Sequence, residues 1–248
     1  MSVYDKLDLE RYSRQLPVFH ISGQIRLVES AVAVVGLGGL GSIISYYLAS
    51  AGVGKLILAD GESVETSNLN RQILYETEDI GLPKAILAAK RLKGINPNVE
   101  VIPYSAPVNK DNVSRILDGV DLIVDALDDW HARLLLDEFA EEAGVPLVHG
   151  AVDGFFGQTT TVIPGRTPCL ACIAPRRLGE RGCRAAVGPV VGLVASLEAL
   201  EALKILSGLK PSMAGHLIVI DAQELRFDLI KLERIDCNIC RSRISMHS

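Results

Sequence analysis

The chain has 248 residues, of which 48% are hydrophobic and 22% are charged, so it can bury a sizeable core. Aromatic residues make up only 5%, which predicts a core of aliphatic side chains, as in parallel strands covered by helices. The formal net charge of −5 argues against nucleic acid and against an anionic membrane as partners.

The N-terminus mixes charged side chains with single apolar ones and has no apolar stretch of signal-peptide length, so we expect a cytoplasmic protein. The most apolar helical stretch covers residues 187–209. Glu198, Glu201 and Lys204 interrupt it, which predicts a buried or dimer-facing helix rather than a membrane span.

Strand and helix patterns alternate over the first 150 residues. Apolar, β-branched runs predict strands, and amphipathic runs predict helices. The predicted elements are helix 7–30, strand 31–35, helix 42–51, strand 55–59, helix 83–92, strand 99–103, helix 111–117, strand 122–125, helix 130–143 and strand 146–151. This alternation predicts an α/β fold with a mostly parallel, doubly wound sheet.

The pattern changes after about residue 150. Residues 155–163 and 217–232 are rich in Thr, Val and Ile, which predicts paired antiparallel strands. No flexible linker separates the two halves, so we expect residues 1–248 to form a single compact unit.

A glycine-rich loop joins the first predicted strand to the second predicted helix. Gly36, Gly38 and Gly41 fit the pattern Gly-x-Gly-x-x-Gly, and Gly39 adds a further residue without a side chain. Such a loop lets phosphates approach the backbone amides of a helix N-terminus. Asp60 ends the next strand, where a carboxylate can bind ribose hydroxyls. A Rossmann-like nucleotide site follows, for either NAD or ATP.

The residues after Asp60 favour a triphosphate. Asn68, Arg71 and Lys84 follow it closely in the chain. Arginine and lysine neutralise phosphate oxygens, and asparagine donates hydrogen bonds to them.

A second acidic group follows the fourth predicted strand, with Asp125, Asp128 and Asp129 close together. Ligands of open α/β sheets bind at the carboxyl ends of the strands. A carboxylate at this edge is therefore a candidate ligand for Mg²⁺ beside the phosphates.

Four of the five cysteines form two Cys-x-x-Cys pairs, which are Cys169 with Cys172 and Cys237 with Cys240. In a reducing compartment this spacing favours a tetrahedral structural Zn²⁺ site near the C-terminus over redox pairs or unrelated thiols.

Cys183 is left over from these pairs. It lies among Arg176, Arg177, Arg181 and Arg184, whose charges favour a thiolate. Two interpretations stay open: a reactive nucleophile, or an ordinary loop thiol.

Taken together, these motifs resemble the ubiquitin-activating-enzyme-like superfamily, in particular the MoeB, ThiF and HesA adenylyltransferases of sulfur-carrier proteins. The resemblance rests on residues 11–15 (Arg-Tyr-Ser-Arg-Gln), the glycine loop, residues 67–72 (Ser-Asn-Leu-Asn-Arg-Gln), Pro83–Lys84, Asp128 and the two cysteine pairs. It covers residues 11–240. One departure is Asp129, where the family usually has Asn, so the carboxylate that holds magnesium is left open.

The resemblance implies an ATP-dependent reaction on the C-terminal Gly-Gly carboxylate of a ubiquitin-like carrier. It implies that Asp60 binds ribose, that Asn68, Arg71 and Lys84 contact phosphates, and that Asp128 binds Mg²⁺. Residues 1–150 would be the nucleotide-binding half, and residues 151–248 the carrier-binding and zinc half.

The resemblance also implies a homodimer in which Arg14 reaches the site of the partner subunit. No rhodanese-like sequence follows Cys240, so we expect a separate sulfur donor.

Three alternatives remain. An NAD-dependent oxidoreductase would share the glycine loop and Asp60 but would leave residues 68–72 and the cysteine pairs unexplained. A non-catalytic carrier-binding scaffold would have to lack the ATP-contacting residues, which are present. A relative that adenylates a tRNA base is opposed only weakly, by the acidic composition and the cysteines.

Overall fold

The structure, a computed structural model, describes residues 7–174, 185–235, 237 and 239, and its central feature is one sheet of eight strands. The strands are β1 (Ala31–Val35), β2 (Lys55–Ala59), β3 (Glu100–Tyr104), β4 (Leu122–Asp125), β5 (Leu147–Asp153), β6 (Phe156–Val162), β7 (His216–Asp221) and β8 (Arg226–Lys231). The helices are α1 (Leu16–Glu29), α2 (Gly39–Ala51), α3 (Lys84–Ile95), α4 (Val113–Ile116), α5 (Trp130–Ala143) and α6 (Gly188–Ser207).

The strand order is β3-β2-β1-β4-β5-β6-β7-β8. Strands β1 to β5 pair in parallel, and β5 to β8 pair antiparallel. The predicted Rossmann-like sheet that continues into antiparallel strands is therefore confirmed. Each parallel strand ends at the same edge, which is where an open α/β sheet binds its ligands.

Helices cover both faces of the sheet because side chains alternate along each strand. On one face, Val32 and Val34 of β1 pack in the same core as residues of α2, α3 and α6. On the other face, Ala33 and Val35 share a second core with residues of α4 and α5. Strand β1 is buried along its whole length, as the unbroken apolar run predicted.

The N-terminal helix begins later than the sequence pattern predicted. Helix α1 starts at Leu16 rather than at residue 7, with proline in its first turn, and Tyr12 is buried in the turns that precede it. The Tyr12 hydroxyl accepts a hydrogen bond from Asn96 Nδ2 at 2.9 Å. Its ring occupies the space that a side chain at Gly52 would need. Tertiary contacts therefore replace helix in this segment.

The antiparallel part also differs in detail from its prediction. The segment 217–232 forms two strands, β7 and β8, because a turn that contains Leu225 at φ 51° reverses the chain. Strand β8 is exposed along its whole length and forms one edge of the sheet. Among the described residues, no helix combines the length and apolar character required to cross a bilayer.

Two glycines permit the close contact between the glycine loop and α2. A Cβ at Gly41 would lie 1.8 Å from the carbonyl oxygen of Gly36. Gly36 itself has φ +90°, and a Cβ there would lie 2.6 Å from the carbonyl oxygen of Ala126. Only residues without a side chain fit at these positions, so the loop can turn directly from β1 into α2.

We expect Gly41→Ala to destabilise the protein by roughly 1–3 kcal/mol or more, since the backbone must move to admit the methyl group. The matched control is Gly94→Ala in α3, where a Cβ would meet nothing within 4 Å. That change should stabilise the protein by about 0.5–1 kcal/mol through helix propensity. Urea unfolding measures both, and equal effects would contradict the packing argument.

Candidate functional site

A cleft of about 990 Å³ lies at the carboxyl ends of the parallel strands. Its size is at the upper end of the range for small-molecule sites, roughly 300–1,000 Å³. It gathers most of the residues that the sequence predicted for a nucleotide: Gly36, Gly38, Gly39, Asp60, Asn68, Arg71, Lys84 and Asp128. Residues that are distant in sequence thus line one cleft.

The glycine loop presents the N-terminus of α2 to the cleft. Gly38 is the N-cap of α2, and it has no side-chain oxygen to accept from the first helical amides. Asp60 holds the loop in place, since its Oδ2 accepts from the Leu37 amide at 2.7 Å and its Oδ1 from the Glu62 amide at 2.7 Å. Burial raises the pKa of Asp60 above its ordinary value. A helix N-terminus of this kind suits an anionic group.

Asn68 and Arg71 lie on a short turn beside the loop. Asn68 is buried, and its Oδ1 accepts from the Glu65 amide at 3.1 Å, which fixes the turn. Arg71 Nη1 donates to the carbonyl oxygen of Ser67 at 2.8 Å. The Arg71 side chain lies close to Gly39, where a Cβ would be 3.6 Å from Arg71 Cγ. The guanidinium group is therefore held at the entrance to the glycine loop.

Lys84 is the first residue of α3 and is almost completely buried. A backbone bridge between Ser63 and Pro83 brings the chain back beside Asp60. The Lys84 ammonium group lies 2.6 Å from Glu62 Oε2, and the Glu62 side chain is 75% exposed. An anion in the cleft could replace this exposed carboxylate as the partner of Lys84 without leaving a buried charge unpaired.

The three carboxylates after β4 have different positions. Asp125 is fully buried, and its Oδ2 lies 2.7 Å from His149 Nδ1. Asp129 caps α5, since its Oδ2 accepts from the Ala132 amide at 2.8 Å. Asp128 is exposed on the cleft wall. Of these three, Asp128 is the carboxylate that the cleft presents to a ligand.

A polar cluster that was not predicted from the sequence lies beneath the cleft. His149 is completely buried, and Arg133 donates to the carbonyl oxygens of Leu127 and, at 3.3 Å, of Gly150. The Arg133 guanidinium carbon lies 5.2 Å from the centre of the Trp130 ring. One signal was available, because a histidine next to the apolar Leu147 and Val148 of β5 needs a buried polar partner.

Three of the predicted zinc ligands come together beside α5. The Sγ atoms of Cys169, Cys172 and Cys237 lie 3.8, 3.5 and 3.9 Å apart. Sulfurs around a tetrahedral Zn²⁺ with bonds of about 2.3 Å are about 3.8 Å apart, so this set fits the ion. Asp137 accepts from the Ala171 amide beside them, and burial raises its pKa to about 6. Cys240 lies outside the described residues.

Sequence comparison identifies the group of proteins to which this arrangement belongs. A model of the ThiF family matches residues 12–241, which include the whole cleft. The chain belongs to the ThiF family. Its similarity to the three relatives described next extends over nearly the full length of both chains.

Three ThiF-family relatives illustrate this similarity. The sulfur carrier protein adenylyltransferase of Thermus thermophilus is 40% identical, over 96% of this chain and 92% of the relative. The SAMP-activating enzyme E1 of Haloferax volcanii is 38% identical, over 95% and 90%. The sulfur carrier protein ThiS adenylyltransferase of Escherichia coli is 37% identical, over 94% and 95%.

Solved structures share the fold. The complex of Escherichia coli MccB with ATP superposes with a TM-score of 0.84 at 23% identity, and it covers 93% of this chain and 73% of that one. At this identity the likeness concerns the fold alone.

Two predicted site residues are not part of the cleft as described. Arg14 is exposed in the turns before α1 and does not occur among the described residues that line the cavity. Gly41 serves the packing of α2 instead. Cys183 and the four arginines near it lie outside the described residues.

A buried carboxyl group lies under the cleft on the α6 side of the sheet. Glu198 of α6 is completely buried, and neither of its carboxyl oxygens has a hydrogen-bond partner in the described part of the chain. A Cβ at Gly150 would lie 2.2 Å from Glu198 Oε2, so the carboxyl group occupies the space beside this glycine. Burial raises the pKa of Glu198 well above its ordinary value, and the nearby charge of Asp125 adds to this effect.

We expect Glu198→Gln to stabilise the protein at neutral pH. The unfolded chain releases the Glu198 proton above its ordinary pKa of 4.5, whereas the folded protein retains it, so rising pH favours unfolding of the wild type. The gain should be small at pH 4 and should grow with pH by at most about 1.4 kcal/mol per unit. Denaturant unfolding across pH 4–8 measures it. A gain independent of pH would contradict a neutral Glu198.

Proposed function

We propose that this protein is an ATP-dependent adenylyltransferase that activates the C-terminal carboxylate of a ubiquitin-like sulfur-carrier protein ending in Gly-Gly. The observation that carries the proposal is one cleft that combines a glycine loop, a carboxylate for ribose and two cations. The names of the ThiF-family relatives, at 37–40% identity over nearly the whole chain, support this activity and this class of substrate.

In this proposal ATP lies along the edge of β1 and β2. The amides of the glycine loop and of the α2 N-terminus receive phosphate oxygens, and Asp60 accepts hydrogen bonds from the ribose. Asn68 and Arg71 contact the phosphates from the adjacent turn. Lys84 exchanges the exposed carboxylate of Glu62 for a phosphate oxygen. The volume of the cleft and the Gly38 N-cap both fit such a ligand.

The reaction needs charge neutralisation more than proton transfer. The carrier's carboxylate is ionised at neutral pH, so its oxygen can attack the α-phosphorus directly. The bond between the α-phosphorus and the oxygen that bridges to the β-phosphate breaks, and pyrophosphate leaves with the bonding electrons. The product is an acyl adenylate. Arg71 and Lys84 serve the reaction by aligning two anions and stabilising their shared charge.

Asp128 is our candidate ligand for Mg²⁺. Bound magnesium would neutralise charge on phosphate oxygens. Asp128 fits this role because it is exposed on the cleft wall, whereas Asp125 bonds to His149 and Asp129 caps α5. Asp129 then serves only as the cap of α5 and is not a second magnesium ligand. The family's usual Asn would serve equally well, since Asp and Asn cap helices about equally.

The rest of the assignment extends the same proposal. Residues 1–150 form the nucleotide-binding half, and residues 151–248 bind the carrier and zinc. Sulfur comes from a separate donor, and Cys183 acts on the carrier after adenylation. An NAD-dependent oxidoreductase remains a poorer fit, because it gives Arg71 and Lys84 no role. A tRNA substrate is less favoured than a protein carrier, given the names of the relatives.

We also propose a homodimer. Arg14 is exposed in the turns before α1, which fits a residue that completes the cleft of a second copy. Leu200 is an exposed apolar side chain of α6, and Val18 and Ile21 are exposed apolar side chains of α1. Helix α1 packs against α6, so these residues lie on adjoining helices.

We expect Arg71→Ala and Lys84→Ala each to reduce carrier-dependent ATP–pyrophosphate exchange by a factor on the order of 10²–10³, since each removes a cation from the developing charge. Exchange is measured by incorporation of labelled pyrophosphate into ATP. Each ubiquitin-like carrier ending in Gly-Gly is compared with the same carrier lacking its last two glycines.

Two control variants should keep exchange close to the wild-type rate. Arg115→Ala removes an exposed arginine of α4 outside the cleft, and Asp129→Asn preserves the α5 cap. Near-normal exchange in Arg71→Ala and Lys84→Ala would remove the phosphate site that we propose.

We propose in addition that Cys169, Cys172, Cys237 and Cys240 hold a structural Zn²⁺. The distances among the three described sulfurs support it. Four thiolates would leave no position for water or substrate, so the ion would tie the segment after β6 to the C-terminus.

Cys169→Ser should lose zinc and thermal stability together, because the energy of metal binding contributes to folding. Metal analysis by mass spectrometry and a thermal melt measure the two effects on protein purified without chelator. A wild-type protein that carries no zinc would contradict the proposal, as would a variant that loses zinc but not stability.

A further inference from the structure

A chain of polar side chains connects the buried cluster under β4 and β5 with the cleft. Asp125 Oδ2 lies 2.7 Å from His149 Nδ1, and His149 Nε2 lies 3.5 Å from Gln158 Nε2. Gln158, on β6, lines the cleft, whereas His149 is completely buried. The contacts therefore run from the interior to the surface of the site.

The chemistry of the ring fixes the direction of these hydrogen bonds. The Asp125 carboxylate accepts from the Leu127 amide at 3.1 Å and faces Arg133 Nε at 3.7 Å, so it serves as the acceptor for His149 Nδ1–H. Burial lowers the pKa of His149, which keeps the ring neutral and leaves a lone pair on Nε2.

A lone pair on His149 Nε2 can only accept a hydrogen bond, so the Gln158 amide must turn its nitrogen towards the ring. Its carbonyl oxygen then points away from His149. Because Gln158 lines the cleft, this oxygen is an acceptor presented to a ligand.

The position of Gln158 separates it from the phosphate-binding groups. In the sheet order, β6 lies on the far side of β4 and β5 from β1, whose end carries the glycine loop. Two strand spacings of about 4.8 Å lie between β4, which precedes Asp128, and β6. An acceptor oxygen would repel a phosphate, but it suits the N–H groups of a peptide backbone.

We propose that Gln158 binds a backbone N–H of the carrier's C-terminal Gly-Gly segment, and that the Asp125–His149 pair is the positioning device that fixes its amide. This inference rests on the proposed function, whose carboxylate substrate is a peptide C-terminus. His149 acts only through Gln158.

The tautomer of His149 is the first test, and it requires no carrier. Long-range ¹H–¹⁵N correlation spectra of the ¹⁵N-labelled protein at pH 7.5 should show His149 with a protonated Nδ1 and an unprotonated Nε2. The signals that disappear in His149→Asn assign the residue among the five histidines. An Nε2–H tautomer or a doubly protonated ring would overturn the proposal.

The second test separates carrier binding from ATP binding. Gln158→Met removes the amide at similar volume, and we expect the KM for the carrier to rise about three- to tenfold, as for loss of one hydrogen bond. The KM for ATP should stay within twofold. Gln223→Leu, at an exposed turn after β7, is the matched control. An unchanged carrier KM in Gln158→Met would overturn the proposal.

The third test concerns the positioning role. His149→Asn retains a donor for Asp125 but has no atom at the position of Nε2, which accepts from Gln158. It should raise the KM for the carrier as Gln158→Met does, and the double variant should be no worse than either single one. Additive effects would place His149 outside this chain of contacts. If His149→Asn does not fold, Gln158→Met alone decides the question through the KM for the carrier.

Direct binding distinguishes failure of this inference from failure of the proposed function. Trp130 is the only tryptophan of the chain and lines the cleft, so its fluorescence can report binding of a tryptophan-free ubiquitin-like carrier ending in Gly-Gly. Absence of exchange would refute the adenylyltransferase proposal. In that case, weaker carrier binding by Gln158→Met would still support the inference. Equal carrier binding by the wild type and by Gln158→Met, or no carrier binding by either protein, would overturn the inference.

Discussion

The contact between Gly41 and the carbonyl oxygen of Gly36 sets the geometry on which the rest of the site depends. It brings the first turn of α2 against the end of β1, where any side chain would separate them. The Leu37 amide between these glycines is then within reach of Asp60, which directly follows the neighbouring strand β2. One backbone contact thus fixes the N-terminus of α2 and the position of a carboxylate.

The site combines groups of two kinds. Arg71 and Asp128 lie on loops at the open end of the sheet, where they can meet a ligand. Asp125, His149 and Arg133 lie below them in the core and hold the ends of β4 and β5 together. Buried charges are costly unless they are paired, so this lower layer is stable only as a set. Its hydrogen bonds fix the end of β4, which the exposed Asp128 follows.

Much of this architecture could be predicted from the sequence because its signals are local. The apolar run of β1, the glycines after it and the Cys-x-x-Cys spacing each reflect a requirement that neighbouring residues satisfy. The start of α1 was misjudged, since Tyr12 is held by Asn96 from a distant part of the chain. His149 and Gln158 were missed for the same reason: their pairing depends on the register of β5 with β6, which no local pattern reveals.

The carboxyl group of Glu198 beside Gly150 also limits how this sequence can change over evolutionary time. A side chain at position 150 would have to displace this carboxyl group, so substitution there is easier once position 198 has become smaller. The reverse order is open, since a smaller residue at 198 leaves only a void. Mutations at the two positions are therefore easier in one order than in the other, although β5 and α6 are far apart along the chain.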